Sequence, residues 1–102
     1  MALPARDHSI SLKDAAALTK RYQKANPNAI KGGAFHAAQV QKLLSQPGCV
    51  AMRVYQGLNA DGTGTLVLTA VDSADDDLTG GLILEIIYPC PPFCGGGNAL
   101  NS

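Results

Sequence analysis

The sequence has no excess charge of either sign: eight basic residues balance eight acidic ones. No net field draws it to nucleic acid or to an anionic membrane, and neither is expected as a partner. No run approaches the roughly 18 apolar residues of a membrane helix. The start, MALPARDHSISL, lacks the charged and continuously apolar regions of a secretory signal. A cytoplasmic protein is the expectation from these absences. Three cysteines are too few, and odd in number, for a disulfide scaffold. There is no internal repeat, phosphate-binding loop, nucleophile–base pair or paired-histidine metal site, so the chain gives little support to an enzyme.

What is present suits an ordinary globular chain: 102 residues, 46% hydrophobic and 16% charged. That length implies one domain. Residues 1–10 read as a flexible arm, residues 11–89 as a single α+β domain, and residues 90–102 as a tail rich in cysteine, proline and glycine. Ser11 is placed to cap a helix over Leu12–Ala25, with Asp14 in the capping-box position. Its periodicity turns Leu12, Ala15, Ala16, Leu18, Tyr22 and Ala25 toward a core. A second helix, roughly Ala34–Ser45, carries Phe35, Ala38, Val40, Leu43 and Leu44 and ends at Gln46-Pro47-Gly48. His36 falls near the edge of that stripe, as a partly exposed helix residue or a ligand without a companion.

Three apolar strands follow, Cys49–Leu58, Thr65–Asp72 and Leu82–Tyr88. Asn59-Ala60-Asp61-Gly62 supplies turn chemistry between the first two. It also resembles a fragment of a calcium loop, but lacks the full spacing and the closing glutamate. The second connection gathers Asp72, Asp75, Asp76 and Asp77, which form either a solvated turn or a weak site for calcium or magnesium.

The fold expected is two-layer α+β, with two N-terminal helices on one face of a three-stranded antiparallel meander (ααβββ). Pairing across both turns joins residues of like parity. The even face collects Val50, Met52, Val54, Leu66, Leu68, Ala70, Leu82, Leu84, Ile86 and Tyr88, the natural floor for the helices. The odd face carries Arg53, Tyr55, Val67, Thr69, Val71, Ile83, Glu85 and Ile87, with Arg53 and Glu85 aligned across Thr69. That face is too apolar for water alone and reads as an interaction surface, unless an end of the chain folds over it. A three-stranded sheet also leaves two open edges. A homo-oligomer or a protein partner is the expected association.

Cys90 and Cys94 flank Pro91-Pro92-Phe93. An extended polyproline path would hold their Cα atoms roughly 12 Å apart, whereas a disulfide needs them within about 7 Å. Bridging them requires a turn around Pro92-Phe93, for which a cis proline is one route. The pair reads as free or structural thiols, as a local or intermolecular disulfide, or as part of a metal site. Zinc would need two further ligands. No cofactor is expected, and a metal at the tail is the one exception considered.

Gln46-Pro47-Gly48-Cys49, Arg53-Val54-Tyr55, Cys90-Pro91-Pro92-Phe93-Cys94 and Leu100-Asn101-Ser102 resemble a group of small bacterial proteins of uncharacterised activity. The helical entry Ile10-Ser11-Leu12 belongs to the same likeness, which covers most of the chain. The resemblance implies a bacterial source, no particular activity, and a tail with a task such as docking. Gly95-Gly96-Gly97 stand where that group more often has prolines, which implies a looser tail.

These features support two readings. One is a non-enzymatic interaction or self-assembly module. The other is a thiol-dependent redox or metal-binding protein centred on Cys90 and Cys94. Catalysis by Arg53, Tyr55 and Glu85 would sit on an open sheet, a poor place to exclude water.

Overall fold

A computed structural model describes residues 2–102; Met1, in the expected arm, lies outside the described residues. The chain is α+β, with two helices and antiparallel sheets. The elements are α1 (Leu12–Ala25), β1 (Gly32–Ala34), α2 (Ala37–Leu44), β2 (Ala51–Leu58), β3 (Gly64–Val71), β4 (Ile83–Leu84) and β5 (Tyr88–Cys90). They fall into two compact units. One holds Phe35–Ile87 and the segment ending at Ala5; the other holds Arg6–Ala34 and Tyr88–Ser102.

The first unit is built on the sheet β2-β3-β4. Asn59 to Thr63 close the β2–β3 hairpin, with Gly62 at φ +88° in the left-handed region that glycine enters without penalty. Asp61 accepts from the Thr63 amide and hydroxyl, the usual work of an aspartate in a turn. Pairing runs from Ala51 opposite Val71 to Leu58 opposite Gly64, so residues of like parity meet, as expected. β4 continues the pattern, with Leu68 opposite Leu84 and Thr69 opposite Ile83.

α2 lies on β3 and β4. Leu43, Leu68, Ala70 and Leu84 form the buried cluster, and Phe35, Cys49, Leu78 and Leu82 pack around it. The helix is shorter than Ala34–Ser45. His36 is its N-cap, its Nδ1 accepting from the Ala38 amide at 3.1 Å, so Phe35 reaches the core from before the helix. Gln46 fastens the far end: its Nε2 donates to the Leu43 carbonyl at 2.9 Å and its Oε1 accepts from the Leu82 amide at 2.7 Å. Gly81 makes room for it, because a Cβ there would stand 2.2 Å from Gln46 Oε1.

The third strand is not the Leu82–Tyr88 run expected. The ladder stops after Leu84, and Ile86 takes φ +51°, a left-handed conformation that a β-branched side chain resists. The chain then supplies β5 to a separate two-stranded sheet with β1, where Gly33 stands opposite Pro89. Pro89 therefore lies within a ladder rather than ending one, tolerated because a two-stranded sheet is all edge.

That sheet belongs to the second unit. Ser11 caps α1, its Oγ accepting from the Asp14 amide at 3.0 Å. The helix forms where periodicity put it, but no residue of it is buried: Leu12, Leu18 and Tyr22 remain open. The arrangement of both helices on one three-stranded meander is thus replaced by two helices and five strands in two sheets.

Candidate functional site

On the odd face of the first sheet the loop after β3 turns back over the strands. Asp72 organises it, accepting from the Ala74 and Asp76 amides, and Asp75 rounds the turn at φ +70°. The Leu78 amide then donates to the Ala70 carbonyl, and Asp77 bridges to Val71. This return path brings two carboxylates to Arg53. Its Nη1 donates to Asp77 Oδ1 at 2.6 Å, and its Nη2 donates to Asp75 Oδ1. The Tyr55 hydroxyl donates to Asp77 Oδ2.

The electrostatics follow from these contacts. The Tyr55 hydroxyl first, and Arg53 after it, hold the Asp77 carboxyl below the usual carboxylate range, against an opposing effect of burial that ranks between them. The same carboxylate holds the Tyr55 phenol protonated to higher pH than usual. Asp75, then Asp77, raise the proton affinity of an already charged Arg53. Thr69 lies buried beneath them; its Oγ1 meets no partner in hydrogen-bonding geometry, yet it is the smallest of the influences lowering Asp77.

The odd face is therefore less open than its sequence suggests. Thr69 and Val71 are buried, Val67 and Ile87 half-buried, and Arg53 is engaged; Tyr55, Ile83 and Glu85 stay exposed. Arg53 does not align with Glu85. Ile83 stands across Thr69, and Glu85, beyond the end of β4, accepts instead from Thr65 Oγ1 at 2.7 Å. That bond comes first among the causes that hold the Glu85 carboxyl low. Of the four aspartates offered as a weak metal site, Asp75 and Asp77 face Arg53 while Asp72 binds its own turn. Among the described residues no three His, Cys, Asp or Glu side chains converge as metal ligands would.

The even face holds what sequence reasoning missed. Val50, Met52, Val54 and Leu58, all but Leu58 counted as floor for the helices, are 59%, 40%, 50% and 78% exposed. α2 covers β3 and β4 but leaves this row bare. β2 is also the outer strand of its sheet, and its only ladder among the described residues is with β3.

In the second unit Cys90 and Cys94 form a disulfide with Cα atoms 4.7 Å apart. The Cys90–Pro91 and Pro91–Pro92 peptides are both cis, which gives the compact turn a bridge requires. The Phe93 amide donates to the Pro89 carbonyl at 2.8 Å, and the Phe93 ring meets Tyr88 edge-on at 5.4 Å. Cys49 remains a free, half-buried thiol donating to the Ala51 carbonyl. Asn101 stitches the tail: its Nδ2 donates to the Cys94 and Gly96 carbonyls, its Oδ1 accepts from the Asn98 amide, and its own carbonyl accepts from Lys31 Nζ. Gln23 Nε2 donates to the Leu100 carbonyl. A lone amide near the end of a sequence gives no sign of such a role.

Comparison with family models, curated proteins and solved structures finds no match. The site must be read from its own chemistry. It offers apolar rows, an unpaired strand edge and a disulfide-closed turn. No helix among the described residues is long and apolar enough to cross a membrane.

Proposed function

We propose that the chain is a small non-enzymatic interaction or self-assembly module. The observation that carries this reading is β2, an eight-residue edge strand whose Met52, Val54 and Leu58, with Val50 just before it, are left 40–78% exposed. Apolar side chains, interrupted only by Gln56, beside unpaired backbone groups are the composition of a surface meant to be covered. Tyr55 and Ile83 extend it onto the odd face, and the Tyr88–Phe93 pair gives the tail a second apolar contact. Homo-oligomers or protein partners fit this surface; nucleic acid, membrane and a resident cofactor have no part in the proposal.

Native mass spectrometry across a concentration series tests the reading. It expects a dimer or larger assembly that grows with concentration. A chain that stays folded and strictly monomeric at high concentration removes self-assembly.

The second reading, a thiol-dependent redox protein, draws on the Cys90–Cys94 bond. It also bears on location, since stable disulfides belong mainly to oxidising compartments and cytoplasmic residence was the expectation from composition. Alkylation of freshly recovered protein, followed by mass measurement, separates these cases. A pair of blocked thiols supports the cytoplasm and a reducible pair; a mass short by two hydrogens supports an oxidising compartment. We carry forward the bacterial resemblance as part of the proposal, because two of its residues, Gln46 and Asn101, prove to be the ones that fasten each unit.

A further inference from the structure

The first sheet has one edge built to be blunt and one left long. β4 offers two residues before Ile86 turns the backbone away, which is how natural sheets discourage further pairing. β2 offers eight, with no proline, no lysine and an unbroken register with β3; just before it, the Val50 amide is already taken by the Val71 carbonyl. Its one charge, Arg53, is already engaged by Asp75 and Asp77. Another strand would satisfy the outward N–H and C=O groups of such an edge and cover the side chains beside it in one step.

Resting on the self-assembly reading, we infer that the occupant is β2 of a second copy, paired antiparallel about a two-fold axis at Val54. Such an axis joins residues of like parity, so the even rows of the two copies meet, with Met52 opposite Gln56 as the polar break in an otherwise apolar row. Centred on Val54, the register takes in Ala51 through Gly57 of the strand and brings Val50, just before it, level with Leu58. Val50 meets Leu58 of the second copy, Val54 meets Val54, and Ala51 meets Gly57. Arg53 stands across from Tyr55 of the second copy, whose hydroxyl already holds an Asp77, so cation faces ring and carboxylate. Neighbouring registers do worse. An axis at Arg53 sets the two guanidinium groups opposite each other, which is unfavourable. Axes at Met52 or Tyr55 leave Leu58 or Val50 without a partner. The product is a six-stranded sheet, β4-β3-β2-β2-β3-β4.

Cysteine cross-linking tests the axis, in a Cys49→Ala background so that no other free thiol competes. Facing residues of an antiparallel pair have Cβ atoms about 4.5–5.5 Å apart, close to disulfide reach. Val54→Cys is expected to form an intermolecular disulfide under oxidised glutathione at least tenfold faster than Val50→Cys. The two copies of Val50 would lie ~26 Å apart along the strands at ~3.3 Å per residue. Val54→Lys, at a half-exposed position, is expected to weaken the dimer tenfold or more while circular dichroism stays native. An assembly indifferent to both Val54 variants overturns the β2 pairing and leaves self-assembly standing. A strict monomer, or a β2 edge protected only by a different protein, overturns the second copy as the occupant.

Discussion

Leu43 is the deepest apolar side chain of the first unit, and its truncation is the sharpest test of how that unit is held. It is fully buried, against Leu68, Ala70 and Leu84, in a small cluster edged by the half-buried Phe35, Cys49, Leu78 and Leu82. Leu43→Ala removes the methyl groups that join α2 to the sheet and leaves a cavity the two-strand contact of the helix can only partly close. Truncations of this kind cost about 3–5 kcal/mol, transfer and cavity effects together. For a domain whose whole stability is about 5–15 kcal/mol, that is a large share. Leu44, the next residue, is 45% exposed, and Leu44→Ala should cost under about 1 kcal/mol. Urea unfolding followed by far-ultraviolet circular dichroism measures both. With about 4–8 °C per kcal/mol for a domain of this size, thermal melting should separate the pair by at least roughly 8 °C. If the two variants fall within about 1 kcal/mol of each other, the helix does not dock through Leu43 and the core assignment is wrong.

Gln46→Ala strands the Leu82 amide and the Leu43 carbonyl together, at about 1–3 kcal/mol, and should speed hydrogen exchange at Leu82 before the rest of the sheet. Tyr55 should ionise at higher pH than a free tyrosine in an ultraviolet titration, and Asp77→Asn should bring it back toward the ordinary value. Because the folded phenol's affinity for its proton is raised, its contribution is complete below pH 10 and lost as pH rises through the folded value. The opposite holds for Asp77, Glu85 and Asp61, whose carboxyls the fold keeps low. Their contribution is present above the ordinary carboxylate range and is lost as acid takes pH down through the folded values, which equilibrium unfolding at a series of pH values will follow. Ile86→Asn should stabilise by about 1 kcal/mol, since asparagine accepts the left-handed backbone and the isoleucine side chain, 89% exposed, contributes little packing; a loss in melting temperature would refute this.

The parts of the fold legible in the sequence were those written in short-range signals. Ser11, the Asn59–Gly62 turn and the like-parity pairing of β2 with β3 all depend on residues close in the chain. Strand three misled because Leu82 to Tyr88 keeps a strand's composition while the backbone at Ile86 abandons the ladder. β1 was invisible: Gly32, Gly33 and Ala34 have almost no side chains to carry a pattern, and their partner is β5. Periodicity located α1 but not its inner face: Ala15 and Ala16 are half-buried as expected, whereas Leu12, Leu18, Tyr22 and Ala25 are exposed and Thr19 and Gln23 are half-buried in their place. The Arg53–Glu85 row failed for a similar reason. Strand alternation places a residue on a face, whereas the carboxylates that reach Arg53 arrive from a loop whose return path depends on bonds between Asp72 and its neighbours. The exposed row on β2 went unread because apolar residues on an edge strand look, in sequence, like those of a central one.

The second unit takes its material from both sides of the first, with β1 preceding Phe35 and β5 following Ile87. Synthesis therefore imposes an order on folding. At about 5–20 residues per second, the chain between Ala34 and Tyr88 takes ~3–11 s to make, and throughout that time β1 has no partner. The unit spanning Phe35–Ile87 has its core residues available first and can close without waiting. A Gly-Gly strand is well suited to the delay: with no side chains to bury, it offers stray β-edges little reason to hold it until Tyr88, Pro89 and Cys90 arrive.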